Sequence, residues 1–145
     1  MTPASRRILV ATAMLAVAGM AVSSVSLYHH YGTDTSSFCD LGENFNCDIV
    51  NRSAYSSVLG VPVALIGIVG YGVMLALATL FRTKAEAPLL LLVGSLGGLC
   101  FALYLTYVEG FVLGAWCILC LSSLTLISAI AVLSLLLVVC KKRQA

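Results

Sequence analysis

Residues 111–143 read FVLGAWCILCLSSLTLISAIAVLSLLLVVCKKR. From Phe111 to Cys140 there is no Asp, Glu, Lys, Arg or His, and three basic residues follow at once. A helix crossing hydrocarbon about 30 Å thick needs about 20 apolar residues at a rise of about 1.5 Å each. The run is longer than one crossing. Lys141, Lys142 and Arg143 pin one end, and counting back about 20 residues from Cys140 sets the other boundary near Leu121. Cys117 and Cys120 therefore fall at the opposite membrane face, at or near the start of the helix. Phe111 to Trp116 then lie along the interface or in a short turn.

Three further stretches are long and apolar enough to cross: Ile8 to Tyr28, Val61 to Phe81 and Leu89 to Val108. None contains a charged residue or a histidine, and only helices satisfy their own backbone polar groups in lipid. The whole chain agrees. Of its 145 residues 61% are apolar and only 10% charged, with a mean hydropathy of +1.06. That excludes disorder, and it exceeds what a soluble core of this size could hide. The expected fold is an all-α, four-transmembrane-helix bundle. It forms one integral membrane domain over 1–145, with helices near 8–28, 61–81, 89–108 and 117–140.

All but one of the eight basic residues fall in three groups: Arg6 and Arg7, Arg82 and Lys84, and Lys141 to Arg143. Four helices put these groups on one side, which the positive-inside rule makes the cytoplasm. Both termini are then cytoplasmic. Asp34, Asp40, Glu43, Asp48 and Glu109 face the other way. Ser5-Arg6-Arg7 echoes a twin-arginine signal, but the apolar run from Ile8 to Tyr28 outlasts a signal h-region of about 7–15 residues. A retained first helix is the reading adopted. The long connection His29–Gly60 is outside. No soluble second domain, low-complexity segment or clear repeat is visible.

The cysteines are Cys39, Cys47, Cys100, Cys117, Cys120 and Cys140. Cys39 and Cys47 in the outer loop share a membrane face, and an oxidising compartment, with Cys117-Ile-Leu-Cys120. A CxxC at a helix N-terminus is expected to have a lowered thiol pKa, since the dipole and free N–H groups favour thiolate, the species that attacks disulfides. Two pairs on one face suggest a relay. A soluble dithiol reduces the loop pair, the loop pair reduces the CxxC, and the CxxC, at the edge of lipid, reduces a lipid-soluble acceptor. A quinone fits. After Cys47, Asp48 is placed to N-cap a short surface helix. Val50, Ala54 and Val58, with Tyr55 and Leu59, would share its apolar face, cover the CxxC and carry Cys47 toward it.

Plainer readings exist for several of these residues. Cys39 and Cys47 alone fit an inert disulfide in a structural four-helix protein, which leaves the CxxC on the same face unexplained. Zinc sites usually join two closely spaced ligand pairs, and Cys39/Cys47 are spaced widely; His29 and His30 read as part of an interfacial belt with Tyr28 and Tyr31. Cys100 reads as packing, and Cys140 as packing or a lipidation site at the cytoplasmic rim. Gly94-Ser95-Leu96-Gly97-Gly98 contains GxxxG and reads as close helix packing; Gly67 and Gly70 read as packing or as room for a flat ring. Tyr71, Phe101, Tyr104, Phe111 and Trp116 are candidates to stack on such a ring, Tyr104 and Trp116 first among them, although lipid-interface and core packing is the plainer reading of any one. Glu109 reads first as a solvated loop acid and second as a proton relay. The spans lack the ionisable residues of a transport path, and no inverted repeat is seen.

The pattern resembles the vitamin K epoxide reductase family, in its bacterial quinone-linked form. The resemblance is carried by Cys39-x7-Cys47-Asp48-x-Val50-x-x-Ser53-x-Tyr55, by Gly60-x-Pro62-x4-Gly67-x3-Tyr71, and by Tyr104-Leu105-Thr106-Tyr107-Val108-Glu109 followed by Trp116-Cys117-Ile118-Leu119-Cys120. It covers the chain from about Cys39 into the fourth helix. It implies a four-helix bundle around a quinone, capped by the loop helix. Cys39 would form the mixed disulfide with a separate periplasmic thioredoxin-fold disulfide donor, Cys47 would exchange with Cys117, and Cys120 would lie nearest the quinone. Ser53 matches a family serine near that site. Val63 and Leu124 stand where the vertebrate enzymes have a hydrogen-bonding Asn and a Tyr. This favours a quinone reductase over an epoxide reductase acting on vitamin K. Another bacterial quinone-linked disulfide oxidase family has its CxxC in the first outer loop, the reverse of the order here. The expected acceptor is ubiquinone or menaquinone and the expected location the bacterial inner membrane. Neither a metal nor a nucleic-acid partner is expected.

Overall fold

The computed structural model describes residues 2–32, 40–42 and 45–145. Cys39, Asp34 and Glu43, which the sequence reading places in the outer loop, lie outside the described residues. Along the chain come α1 (Pro3–Tyr31), β1 (Asp40–Gly42), β2 (Phe45–Asn46), α2 (Cys47–Asn51), a 3-10 turn (Ala54–Ser56), β3 (Ser57–Val58), β4 (Val61–Pro62), α3 (Val63–Thr79), α4 (Ala87–Tyr107), a π-turn (Val108–Leu113) and α5 (Ile118–Gln144). Three helical segments, Pro3–Tyr31, Ala87–Leu113 and Ile118–Gln144, are long and apolar enough to cross a membrane, and Val63–Thr79 is a shorter apolar helix. The protein is an all-α, multi-span integral membrane bundle.

The helix ends follow local chemistry. Thr2 caps α1, its hydroxyl accepting the Ser5 N–H at 3.3 Å, with Pro3 just inside the first turn. This position needs no N–H donor. α1 therefore starts earlier than the apolar run that marks it. α3 starts later than its apolar run, because Val61 and Pro62 pair antiparallel with Ser57 and Val58. Leu59 (φ 53°) and Gly60 (φ 82°) make the two-residue turn between them, the positive-φ pair that matches strand twist in a tight hairpin.

α1 packs against α3 and α5, and α4 packs against α5; α3 and α4 touch least among these neighbours. The core joins Leu9, Ala16, Tyr71, Met74, Leu91 and Ile130. Gly19 lets α1 approach the Tyr71 ring so closely that a Cβ there would overlap it. The Tyr71 hydroxyl donates to the Ser123 carbonyl at 3.0 Å and meets Ser123 Oγ at 2.9 Å, which satisfies a polar tip inside an apolar bundle. The outer faces keep large apolar side chains, among them Met14, Val69, Val93 and Leu135. Such a surface suits lipid rather than water.

The surface helix is shorter than its apolar periodicity suggests. α2 ends at Asn51, and Asp48 lies within it rather than at its cap. Asn46 is the capping residue, its Oδ1 accepting the Ile49 N–H at 3.2 Å. Ser53 stops the helix, since its hydroxyl donates to the Val50 carbonyl at 2.8 Å and so competes with the helical ladder. Ala54, Tyr55, Val58 and Leu59 are consequently exposed, while Cys47 and Val50 are buried.

Candidate functional site

Two segments meet at the N-terminal end of α5. Gly114 adopts a left-handed conformation (φ 63°) with no atom within 4 Å of a Cβ built on it. It turns the chain out of the π-turn into the extended residues before Cys117, and the Ala115 N–H returns to the Glu109 carbonyl at 3.2 Å. Trp116 then forms a parallel bridge with Phe45, and the Asn46 N–H donates to the Trp116 carbonyl at 3.1 Å. This bridge sets Cys47, two residues after Phe45, against Cys117, the residue after Trp116. Both are sealed from solvent, at 1% and 0% exposure, in a cluster with Val50, Ala115 and Leu119. The Cys117 side chain hydrogen-bonds to both Cys47 and Cys120.

The Cys117 thiol is not activated as a helix N-terminus alone would predict. Its hydrogen bond to Cys120 and its burial push its pKa above the ordinary thiol range, outweighing the opposing hydrogen bond from Cys47. The hydrogen bond to Cys120, with burial adding to it, disfavours the charged form and opposes what the dipole would do.

Glu109 corrects the sequence reading more sharply. It is not a solvated loop acid: it is 1% exposed. Its Oε2 accepts the Cys117 backbone N–H at 3.2 Å, and its carboxyl hydrogen-bonds to the Cys120 side chain. Its Oε1 has no hydrogen-bond partner. The available signal was a lone acid eight residues before the CxxC, on a helical stretch that continues past Val108.

Inside the bundle lies a cavity of about 390 Å³, within the range of about 300–1,000 Å³ for small-molecule pockets. Cys120 and Glu109 line one part of it, and Ser53, Asn51 and His30 line another. Its middle is walled by Gly67 and Gly70 of α3 and by Gly94 and Gly97 of α4. At Gly70 and Gly97 a Cβ would meet nothing within 4 Å, so these glycines leave open space. His30 and His29 also turn inward: His29 is buried, and His30 Nδ1 bonds to the Asn51 carbonyl. Ser26 donates to Asn51 Oδ1 at 2.9 Å. The two histidines thus differ from the exposed Tyr28 and Tyr31 beside them, and the interfacial-belt reading does not fit the histidines.

The predicted site residues separate into groups. Cys47, Cys117 and Cys120 come together; Cys39 lies outside the described residues. Ser53 reaches the cavity wall, as do Val63, Tyr71 and Phe101. Tyr104 is 53% exposed and stacks on Phe101 from outside the cavity, with ring centroids 6.4 Å apart. Trp116 braces the cysteine segment, its ring close to Gly110, and does not line the cavity. Leu124 is half-buried away from it. Among the described residues no group of three or more His, Cys, Asp or Glu is placed to hold a metal.

A family model described as the vitamin K epoxide reductase family matches residues 10–135. No curated protein matches the chain.

Proposed function

The chain belongs to the vitamin K epoxide reductase family, and from that premise we propose that it is a membrane thiol-disulfide oxidoreductase that couples disulfide formation in a thioredoxin-fold partner to reduction of a quinone. Family membership supports an oxidoreductase working through cysteines. The observation that carries the finer reading is the series Cys47, Cys117, Cys120, the first two buried and the last half-buried at the border of an apolar cavity.

A dithiol partner reduces the Cys39–Cys47 pair. Cys47 then exchanges with Cys117, and the Cys117–Cys120 dithiol is oxidised at the cavity. Glycine-walled space, the Phe101 ring and the polar edge of Ser53 and Glu109 suit a flat, apolar molecule with oxygen acceptors. A bound quinone supplies a two-electron, two-proton acceptor. Burial of Cys47 and Cys117 keeps water and stray thiols from intercepting the exchange. We infer that the cysteines face the periplasm, with both termini in the cytoplasm and the bundle in a bacterial inner membrane. The acceptor is ubiquinone or menaquinone.

Purified protein is assayed for quinone reduction with a reduced thioredoxin-fold donor, beside Cys117→Ala and Cys120→Ala. Turnover in the wild type that is lost in both variants is the expected result. A wild type that stays inert with Cys39 and Cys47 oxidised would instead make the loop pair a structural disulfide.

A further inference from the structure

We propose that Glu109 is the proton carrier of the site, taking a proton from the Cys120 thiol and delivering it into the cavity; this rests on the quinone-reductase reading above. Three observations converge. Glu109 is a carboxyl sealed from solvent on the wall of the cavity. Its Oε2 is committed to the Cys117 N–H, and the Cys120 thiol hydrogen-bonds to the carboxyl. Its Oε1 has no hydrogen-bond partner. An unpartnered buried carboxylate oxygen is costly, and it is satisfied by a proton or by a donor on a bound molecule.

Oxidising the Cys117–Cys120 dithiol releases two electrons and two protons and forms one S–S bond. A quinone takes both electrons and both protons and becomes a quinol. The Cys120 proton passes to Glu109, which leaves the sulfur as thiolate, the reactive form. Glu109 then gives up that proton to the reduced acceptor and returns to carboxylate. The other titratable groups lining this space are His30 on α1, Tyr55 in the 3-10 turn and Tyr71 on α3, with Cys117 and Cys47 packed behind Cys120. His30 and Tyr71 are already engaged, with the Asn51 carbonyl and with Ser123. Cys117 and Glu109 both hydrogen-bond to Cys120, but Cys117 is the other half of the dithiol being oxidised, so Glu109 is the group beside Cys120 that can take its proton.

The rival role is positioning alone, in which Glu109 merely accepts the Cys117 N–H. Glu109→Gln keeps that acceptor and the shape but cannot carry a proton. The expected result is turnover lower by about a hundredfold, the scale of one general acid–base group, with the KM for quinone little changed. Alkylation of Cys120 in the reduced, quinone-free protein also slows, and Glu109→Asp recovers part of both. Wild-type turnover and wild-type alkylation in Glu109→Gln would overturn the proposal. Turnover absent already in the wild type would instead overturn the reading beneath it. If Glu109→Gln fails to fold, a Glu43→Gln, Glu86→Gln protein with Glu109 as its sole glutamate is reduced chemically without quinone. Glutamate-labelled infrared difference spectra should gain carboxyl at the expense of carboxylate, and a flat spectrum refutes the assignment.

Discussion

Cys117 holds the junction of the two cysteine pairs through three contacts: side-chain hydrogen bonds to Cys47 and Cys120, and its own N–H on Glu109. A thiol held this way stays protonated when an ordinary one has ionised. Linkage makes this a stability statement. In the unfolded chain a thiol ionises near pH 8.5, while folded Cys117 keeps its proton to higher pH. Above pH 8.5 the unfolded state therefore binds fewer protons, and stability falls as pH rises, by up to about 1.4 kcal/mol per pH unit for one group. The contribution is fully present below that range. Reduced protein in detergent should lose thermal stability between pH 8.5 and 10. Protein oxidised at Cys117–Cys120 has no such thiol and should change less. Equal melting curves for the two forms would show that Cys117 ionises normally.

At the scale of elements, the apolar runs and their charged flanks were legible, because lipid imposes one long pattern that a sequence shows directly. The meeting of the cysteine segments was legible only in part. Depth counted back from Lys141 places Cys117 and Cys120 at the outer rim, but nothing in the spacing announces the Phe45–Trp116 bridge that sets Cys47 beside Cys117. Two local competitions hid the rest. The π-turn carries α4 on to Leu113 and turns Glu109 inward, where an acid after an apolar run reads as solvated. The Ser53 hydroxyl ends α2 at Asn51, where the apolar spacing to Val58 reads as one helix. Tyr104 shows the limit of residue type, since an aromatic suited to stacking faces outward while Phe101, three residues earlier, lines the cavity. The glycine walls give these elements a testable use. Gly97 is in the cavity wall with nothing within 4 Å of a Cβ. Gly97→Leu therefore should fold, helped by up to about 1 kcal/mol of helix propensity, yet fill space an acceptor needs. The expectation is a quinone KM raised by about tenfold or more with an undiminished melting temperature. An unchanged KM would move the acceptor to another surface.

For the whole molecule, one end gathers the positive charge and the other the sulfur chemistry. Lys141 Nζ donates to the Ala85 carbonyl between α3 and α4, and the Gln144 side chain reaches Thr2 Oγ1 at 3.5 Å. Arg6 and Arg82 line a common groove between α1 and α3. The two termini and the α3–α4 connection thus share one end, and Cys47 and Cys117 are held beside the start of α5, the far end of the helix whose last turn carries Lys141 to Arg143. Seven of the eight basic residues in the sequence are at the first end, and this charge asymmetry supports the orientation proposed above, with that end in the cytoplasm. The eighth, Arg52, lies just past α2 and its guanidinium donates to the Gly32 carbonyl. It belongs to the connection between α1 and α3, where one basic residue does not outweigh seven. A membrane-impermeant maleimide should then label Arg52→Cys in intact cells and leave Gln144→Cys unlabelled, and inverted vesicles should reverse the pattern. Labelling of Gln144→Cys from outside would invert the molecule and put the cysteine relay in the reducing compartment, where disulfide formation would have no purpose.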